Sequence, residues 1–306
     1  RSTPLYSSAA SDVYKRQMLG GQIMAEWRAA VPPVVKVLKE KMGDKVAFQT
    51  MPMLSFIMIS LNTKFEPFKD KRVRHALTLC VDRYKGLPTL ARLTWTAPQP
   101  AAALMPGSEF ALPSNELEKL TGFGRDMAAN RAKARALLKE AGHQNLTFKY
   151  SNRAVAHPYE QIAIWLIDQW KKCGVSVEQI SSPTPKWVKM RRSGTFDVTI
   201  DFISGFLPDP TILLAKYTSK DRNPQNYSGY TDRKLDDLYE AQKKQPDPQK
   251  RKALIHEFIK HTTDLAWTIP MSFMNRTIAL DKRVKGYKIA PSLVLNTDWR
   301  GVWIEE

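Results

Sequence analysis

The sequence predicts an α/β fold, and three observations carry the prediction. Short apolar runs such as LSFIMISLN (54–62) and VSVEQI (175–180) alternate with amphipathic segments of 12–18 residues, the pattern of strands joined by helices. The 306 residues, 43% of them apolar, suffice for two domains with separate cores. No run approaches the ~18 consecutive apolar residues of a membrane-spanning helix. The nearest, Met51 to Leu61, is too short and carries Pro52 and serines.

Each element follows from its local pattern. Pro32-Pro33 suits a helix first turn, and Val31, Val34, Val35 and Leu38 recur at helical spacing up to Lys41. Val46–Gln49 reads as a short strand and Leu54–Asn62 as a separate buried one. In FEPFKDKRVRHALTLCVDRYKG, Asp70 is the N-cap of a helix with Val73, Leu77, Cys80 and Val81 on one face. Residues 88–125, rich in Pro, Gly, Thr and Ala, read as a long ordered loop. A helix capped at Asp126 closes at Gly142, and LTFKYS (146–151) is a strand. An amphipathic helix spans 157–174, followed by the strand VSVEQI, the short helix PKWVKMRRSG (185–194) and the strand FDVTIDFIS (196–204). After TILLAKY (211–217) and a polar loop at 218–229 come helices at Asp232–Lys244 and Pro248–Thr263. Strands around 268–280 and a strand-like end at Asn296–Ile304 close the chain.

The net charge of +17 admits nucleic acid, acidic membrane or an anionic solute as partner. The basic residues are spread along the chain, which favours a solvated basic surface over a binding face. Cys80 and Cys173 fit neither a disulfide scaffold nor CxxC metal spacing. Buried free thiols are the default reading, and a single disulfide is the alternative. RSTPLYSSAASDVYKRQ (1–17) has no apolar segment of a signal peptide and no helical or strand period, and it reads as a non-native leader. His256 and His261 are five apart, not the i, i+4 metal pair, and no nucleophile elbow or HExxH is present. Neither an enzyme nor a cofactor or metal site is expected.

A set of co-linear motifs is more specific. Asn62, Pro67-Phe68, Asp70, Arg72-Val73-Arg74 and Ala76-Leu77, continued by Asp82-Arg83, match N-t-x-x-x-P-F-x-D-x-R-V-R-x-A-L. AKARALLKEAG (132–142), Trp170 to Val175, Gly194 to Asp197, Asp209-Pro210, Gly229-Tyr230, Leu235-Asp236, Ile269-Pro270 and Val284 to Gly286 follow in order. Together these resemble the family 5 extracytoplasmic solute-binding proteins of ABC importers, the peptide- and nickel-binding group. The resemblance implies a periplasmic-binding-protein-like two-lobe fold (class II, cluster C type), with the N-terminal part of lobe I missing. Residues 67–269 would be lobe II, and 18–66 with 270–306 a remnant of lobe I, the chain crossing near Lys64–Pro67 and Ile269–Met271. It further implies a periplasmic or extracytoplasmic monomer that binds a small-molecule solute by lobe closure and delivers it to ABC permease transmembrane subunits. Nucleic acid is not among the implied partners. The alternatives are a basic nucleic-acid or polyanion binder and, behind it, a hydrolase. A chain lacking much of lobe I is expected to bind its solute weakly or not at all.

The stretch DFISGFLPDP (201–210) is bulkier than a hairpin turn requires. In the peptide binders this turn reads W-x-x-D-Y-x-x-P, its aspartate pairing with the ligand's α-ammonium. Counting back from Pro210 puts Ile203 at the tryptophan position and Phe206 at the aspartate position. The candidate wall is therefore aromatic and uncharged: Phe202, Ile203, Ser204, Gly205 and Phe206. Trp187, in the helix before the strand, stands where family members place an aromatic against the ligand. Asn226 and Tyr227 are candidates for the cleft rim. Asp201 faces opposite to Phe202, and Asp209 is read as a helix cap. A peptide with a free N-terminus is accordingly disfavoured as solute.

Overall fold

The structure, a computed structural model, describes residues 8–26, 29–205, 207–292 and 298–306. Helix α1 (Ser8–Leu19) and the short strand β1 (Ala25–Glu26) precede α2 (Pro32–Met42), which has both prolines in its first turn. The lack of helical period in the leader is thus overturned from Ser8 onward, and Met18 is buried at the helix's end against Leu38, Val46 and Ala279.

Strand β2 (Val46–Leu61) is one 16-residue strand, where the sequence pattern predicts two. Pro52 does not end it, because the register with its partner shifts between Pro52 and Phe56 and pairing resumes beyond. Helices α3 (Lys71–Leu79) and α4 (Gly86–Ala91) follow. The loop expected from residue 88 instead begins after α4, which takes in residues 88–91; it carries the one-turn helix α5 (Ser114–Leu117), and α6 (Met127–Glu140) comes next. Asp70 and Asp126 cap α3 and α6, accepting the backbone N–H of Arg72 and Ala129. Strand β3 (Thr147–Arg153) leads to α7 (Gln161–Lys171). The helix predicted to start at 157 starts later because His157, which precedes Pro158, is extended. The chain continues through β4 (Ser176–Ser182), α8 (Thr184–Ser193), β5 (Val198–Ser204), α9 (Pro210–Leu214), α10 (Arg233–Lys244), α11 (Pro248–Leu265) and β6 (Thr268–Asp281). Two-residue strands β7 (Val284–Lys285) and β8 (Trp303–Ile304) pair at the end, and residues 296 and 297 of the predicted final strand lie outside the described residues.

Among the described residues the sheet has six strands in the order β1-β6-β2-β5-β3-β4. β2 is antiparallel to both neighbours, and β3 is parallel to both of its own. From Met53 to Leu61 β2 is buried on both faces, which is why that part of its sequence reads as a continuous apolar run. Ile57, Ile59 and Leu61 enter one core with α3, α6 and α7. Phe56 and Met58 point the other way, into a second core with α10, α11 and Ala101–Leu104. Met53 and Ile269–Met274 also belong to these two cores, whereas Leu38, Val46, Ile278 and Tyr287 lie in two small separate clusters.

Cys80 and Cys173 are joined in a disulfide, correcting the reading of two free thiols. The C-terminal ends of α3 and α7 pack together, bringing the two Cα atoms to 6.2 Å, within the range a disulfide spans. Both cysteines are buried. The bond closes a loop of 93 residues, so Cys80→Ala/Cys173→Ala is expected to lose about 2–4 kcal/mol of stability. Urea denaturation of the oxidised protein against the double variant checks this, and an unchanged midpoint would mean that the unfolded chain is not restrained by the bond.

Candidate functional site

Strand β5 ends at Ser204, and the turn that follows runs into α9 through Asp209, whose side chain accepts the Thr211 N–H as predicted of a cap. Arg251 of α11 also reaches the Asp209 carboxylate, at 3.1 and 3.2 Å. Burial works against the charge of Asp209, yet the hydrogen bonds from Thr211 and Arg251 hold its carboxyl below the usual range.

The predicted wall divides. Phe202 is half-buried, its ring 5.3 Å from that of Tyr159, which in turn lies 5.5 Å from the Trp187 ring. Trp187 itself is 3% exposed, and its indole N–H donates to the Thr199 hydroxyl at 3.1 Å. Ile203 is buried in the second core. Ser204 is exposed, with its hydroxyl 3.1 Å from that of Ser55 on β2. Gly205 is buried and its N–H donates to the Leu54 carbonyl at 2.6 Å, so that backbone group is already paired. Phe206 lies outside the described residues, and Leu207 beside it is 51% exposed.

Asn226 is buried and staples its own loop. Its amide donates to the carbonyls of Thr218 and Tyr230 and its oxygen accepts the Gly229 N–H. Tyr227, next to it, is half-buried among cations. The Arg191 guanidinium lies 4.4 Å from its ring centroid, Lys216 Nζ 4.1 Å and Lys220 Nζ 5.8 Å. The same guanidinium also lies 4.1 Å from the Trp187 ring centroid.

Beneath these rings sits the charge that sequence reasoning left without a partner. Asp201 is wholly buried, and its carboxylate takes Arg191 Nη1 at 3.1 Å, Lys216 Nζ at 2.9 Å and the Ser60 hydroxyl at 3.2 Å. Burial pulls the Lys216 ammonium below its ordinary range; Asp201 opposes that, and Arg191 and Lys220 add to it. The constellation thus unites Trp187, Tyr227 and Phe202 through Arg191 and Tyr159, two residues the motif reading did not single out. The short helix holding Arg191 was legible in the sequence, but the pairing of Arg191 across the fold had no local signal. Among the described residues no group of three or more His, Cys, Asp and Glu is placed to hold a metal ion, and no helix is long and apolar enough to cross a membrane.

The chain is similar to known proteins over most of its length. The model of the bacterial extracellular solute-binding proteins, family 5 middle part, matches residues 7–225. A dipeptide-binding protein of Pseudomonas aeruginosa is 26% identical over 266 residues, which are 85% of this chain and 48% of the relative. The "Probable deoxycholate-binding periplasmic protein YgiS" of Escherichia coli is 26% identical over 276 residues, 88% of this chain and 48% of that protein. In structure, the periplasmic binding protein DppA of Helicobacter pylori, in complex with peptide STSA, superposes with a TM-score of 0.80 at 19% identity, over 97% of this chain and 55% of that one. The Haemophilus influenzae OppA complex with RPPGFSPFR gives 0.79 at 18%, over 96% and 56%. The chain spans about half the length of the curated relatives it matches. Its two-lobe-type α/β architecture is shared with these solved binding proteins, and the chain belongs to the bacterial extracellular solute-binding proteins of family 5.

Proposed function

We propose that this chain forms one lobe, with part of the second, of an extracytoplasmic solute-binding protein that hands a small organic solute to the transmembrane subunits of an ABC importer. The protein works by binding and closure, without chemistry, because a solute that touches both lobes only in the closed state favours that state. The lobe centred on residues 67–269 takes in Met53–Leu61 and Ile269–Met274 as well, since these share its cores. A disulfide at Cys80–Cys173 suits an oxidising compartment outside the cytoplasm.

The observation that carries the choice of solute is the occupation of both carboxylates near the turn. Asp201 is held by two cations, and Asp209 caps α9 and pairs with Arg251. Neither is free to receive an α-ammonium, and Phe206 stands where the peptide binders' aspartate would. The relatives' names span dipeptides and deoxycholate, so the family scaffold accommodates solutes of unlike charge. For this chain the reading is a solute without a free ammonium group: a blocked peptide, a sugar-like molecule or another uncharged or anionic organic compound. It would lie against Phe202, Tyr227 and the exposed Ser204 hydroxyl.

An aromatic-ring NMR titration of the chain, with the half-buried Phe202 and Tyr227 rings as reporters, tests this at millimolar sensitivity. Loss of a carboxylate–ammonium pair costs about 2–5 kcal/mol of binding. An N-acetylated dipeptide is therefore expected to shift the Phe202 and Tyr227 ring signals at least as readily as the free dipeptide. A free dipeptide that saturates the shift at tenfold lower concentration would overturn the proposal.

A further inference from the structure

A cavity of about 670 Å³ lies between the loop at 98–118 and the outer face of α11, and it shares no residue with the turn after β5. Its size falls within the roughly 300–1,000 Å³ of small-molecule sites, which combine apolar walls with a few placed polar groups. The walls are of that kind: Leu104, Leu112 and Leu117 line it together with prolines of the loop.

Its polar groups are arranged unequally. On one wall Arg125 and Glu118 neutralise each other at 2.8 Å, and the guanidinium lies 4.1 Å over the Tyr84 ring. On the other wall stand Lys252 and His256, one turn apart on α11 and so on one face of it. Lys252 is half-buried and makes no ion pair among the described residues. His256 Nε2 lies 3.2 Å from the Ala111 carbonyl, which can only accept, so this nitrogen carries the proton. Burial, with Lys252 and Lys260 nearby, lowers the His256 pKa against the opposing pull of the Ala111 carbonyl. In the neutral ring Nδ1 is left as an acceptor.

We propose that this cavity is a second binding site, for an amphipathic monoanion. The ligand's apolar body fills the leucine and proline walls, its carboxylate or sulfonate pairs with Lys252, and an N–H or O–H on the body donates to His256. The excess of one cation selects an anion over a zwitterion or a cation, and the paired Arg125–Glu118 wall adds no net charge.

The probe 8-anilinonaphthalene-1-sulfonate carries all three features, and N-phenyl-1-naphthylamine has the same aromatic body without the sulfonate. Fluorescence titration of the 306-residue chain is expected to show saturable binding of the sulfonate at one site, and at least fivefold weaker binding of the uncharged amine. Lys252→Glu should weaken the sulfonate at least fivefold and Lys252→Arg should restore it. Ser108→Trp, an exposed position on the cavity wall, should block the site without touching the core. Non-saturable enhancement, equal affinity for the two probes, or binding unchanged in both Lys252→Glu and Ser108→Trp would each overturn the proposal.

Discussion

Replacing Arg83 with methionine is expected to cost about 3–5 kcal/mol of stability, more than any surface change in the chain. Arg83 follows α3 and is 1% exposed, yet no carboxylate faces it among the described residues. Its guanidinium donates instead to the carbonyls of Pro270 (3.0 Å), Thr78 (3.0 Å) and Gly122 (2.6 Å) and to the Thr78 hydroxyl (2.9 Å). Three separated segments, α3, the 88–125 loop and β6, are thereby tied at one point. Burial pulls the group down to about 9, and the ring of acceptors favours its charged form. Methionine matches the length but leaves buried carbonyls unpaired, each worth about 1–3 kcal/mol. Lysine supplies one ammonium for several directions and should recover only part of the loss. Gly122 belongs to the same device: its φ of +85° and a Cβ position 2.6 Å from the Thr78 hydroxyl leave no room for another residue. Urea midpoints of Arg83→Met and Arg83→Lys decide the matter, and a loss below 1 kcal/mol for methionine would show the carbonyls rehydrated.

Asp201→Asn is expected to cost a similar amount, about 3 kcal/mol at neutral pH, because it strands a buried Lys216 and a mostly buried Arg191 without a counter-charge. The sign of its pH dependence follows from Lys216. The folded-state pKa of this lysine is already below its unfolded value, and removing Asp201, which raises it, moves it lower still. Below the variant's folded pKa both folded proteins hold the proton and the deficit is full. As pH rises through that pKa the variant sheds the proton that its unfolded chain keeps, so its stability climbs relative to the parent. The deficit should therefore shrink from neutral toward alkaline pH and level off above the parent's folded pKa. A constant deficit between pH 7 and 10 would show that Arg191, not Lys216, carries the uncompensated charge.

What the sequence made legible was local. Asp70, Asp126 and Asp209 cap the helices they precede because a cap needs only a side chain and an N–H two or three residues on. The strand at 196–204 and the helix holding Trp187 were readable from period alone, and the family was readable from motifs in fixed order. The Cys80–Cys173 bond was not, because it depends on how the ends of α3 and α7 meet across 93 residues. Asp201 looked like an unassigned acid on a strand; its partners come from α8 and from the segment after α9, and neither is announced by spacing. β2 read as two strands because its pattern breaks between Gln49 and Leu54, a break that a register shift lets one strand span. The cavity behind the 98–118 loop was hidden for a related reason: a stretch without period says nothing about the walls it builds.

The central position of β2 has a consequence for the order in which the molecule is made. Its two neighbours, β5 and β6, arrive roughly 150 and 200 residues later in the chain. At about 5–20 residues per second, the apolar stretch from Phe56 to Leu61 waits some 10–40 s after it emerges before β6 exists to cover its second edge. Pairing at such sequence distance is also intrinsically slow. The nascent chain therefore exposes this apolar segment until β6 emerges, and a holding chaperone that recognises this strand would raise the yield of the folded lobe.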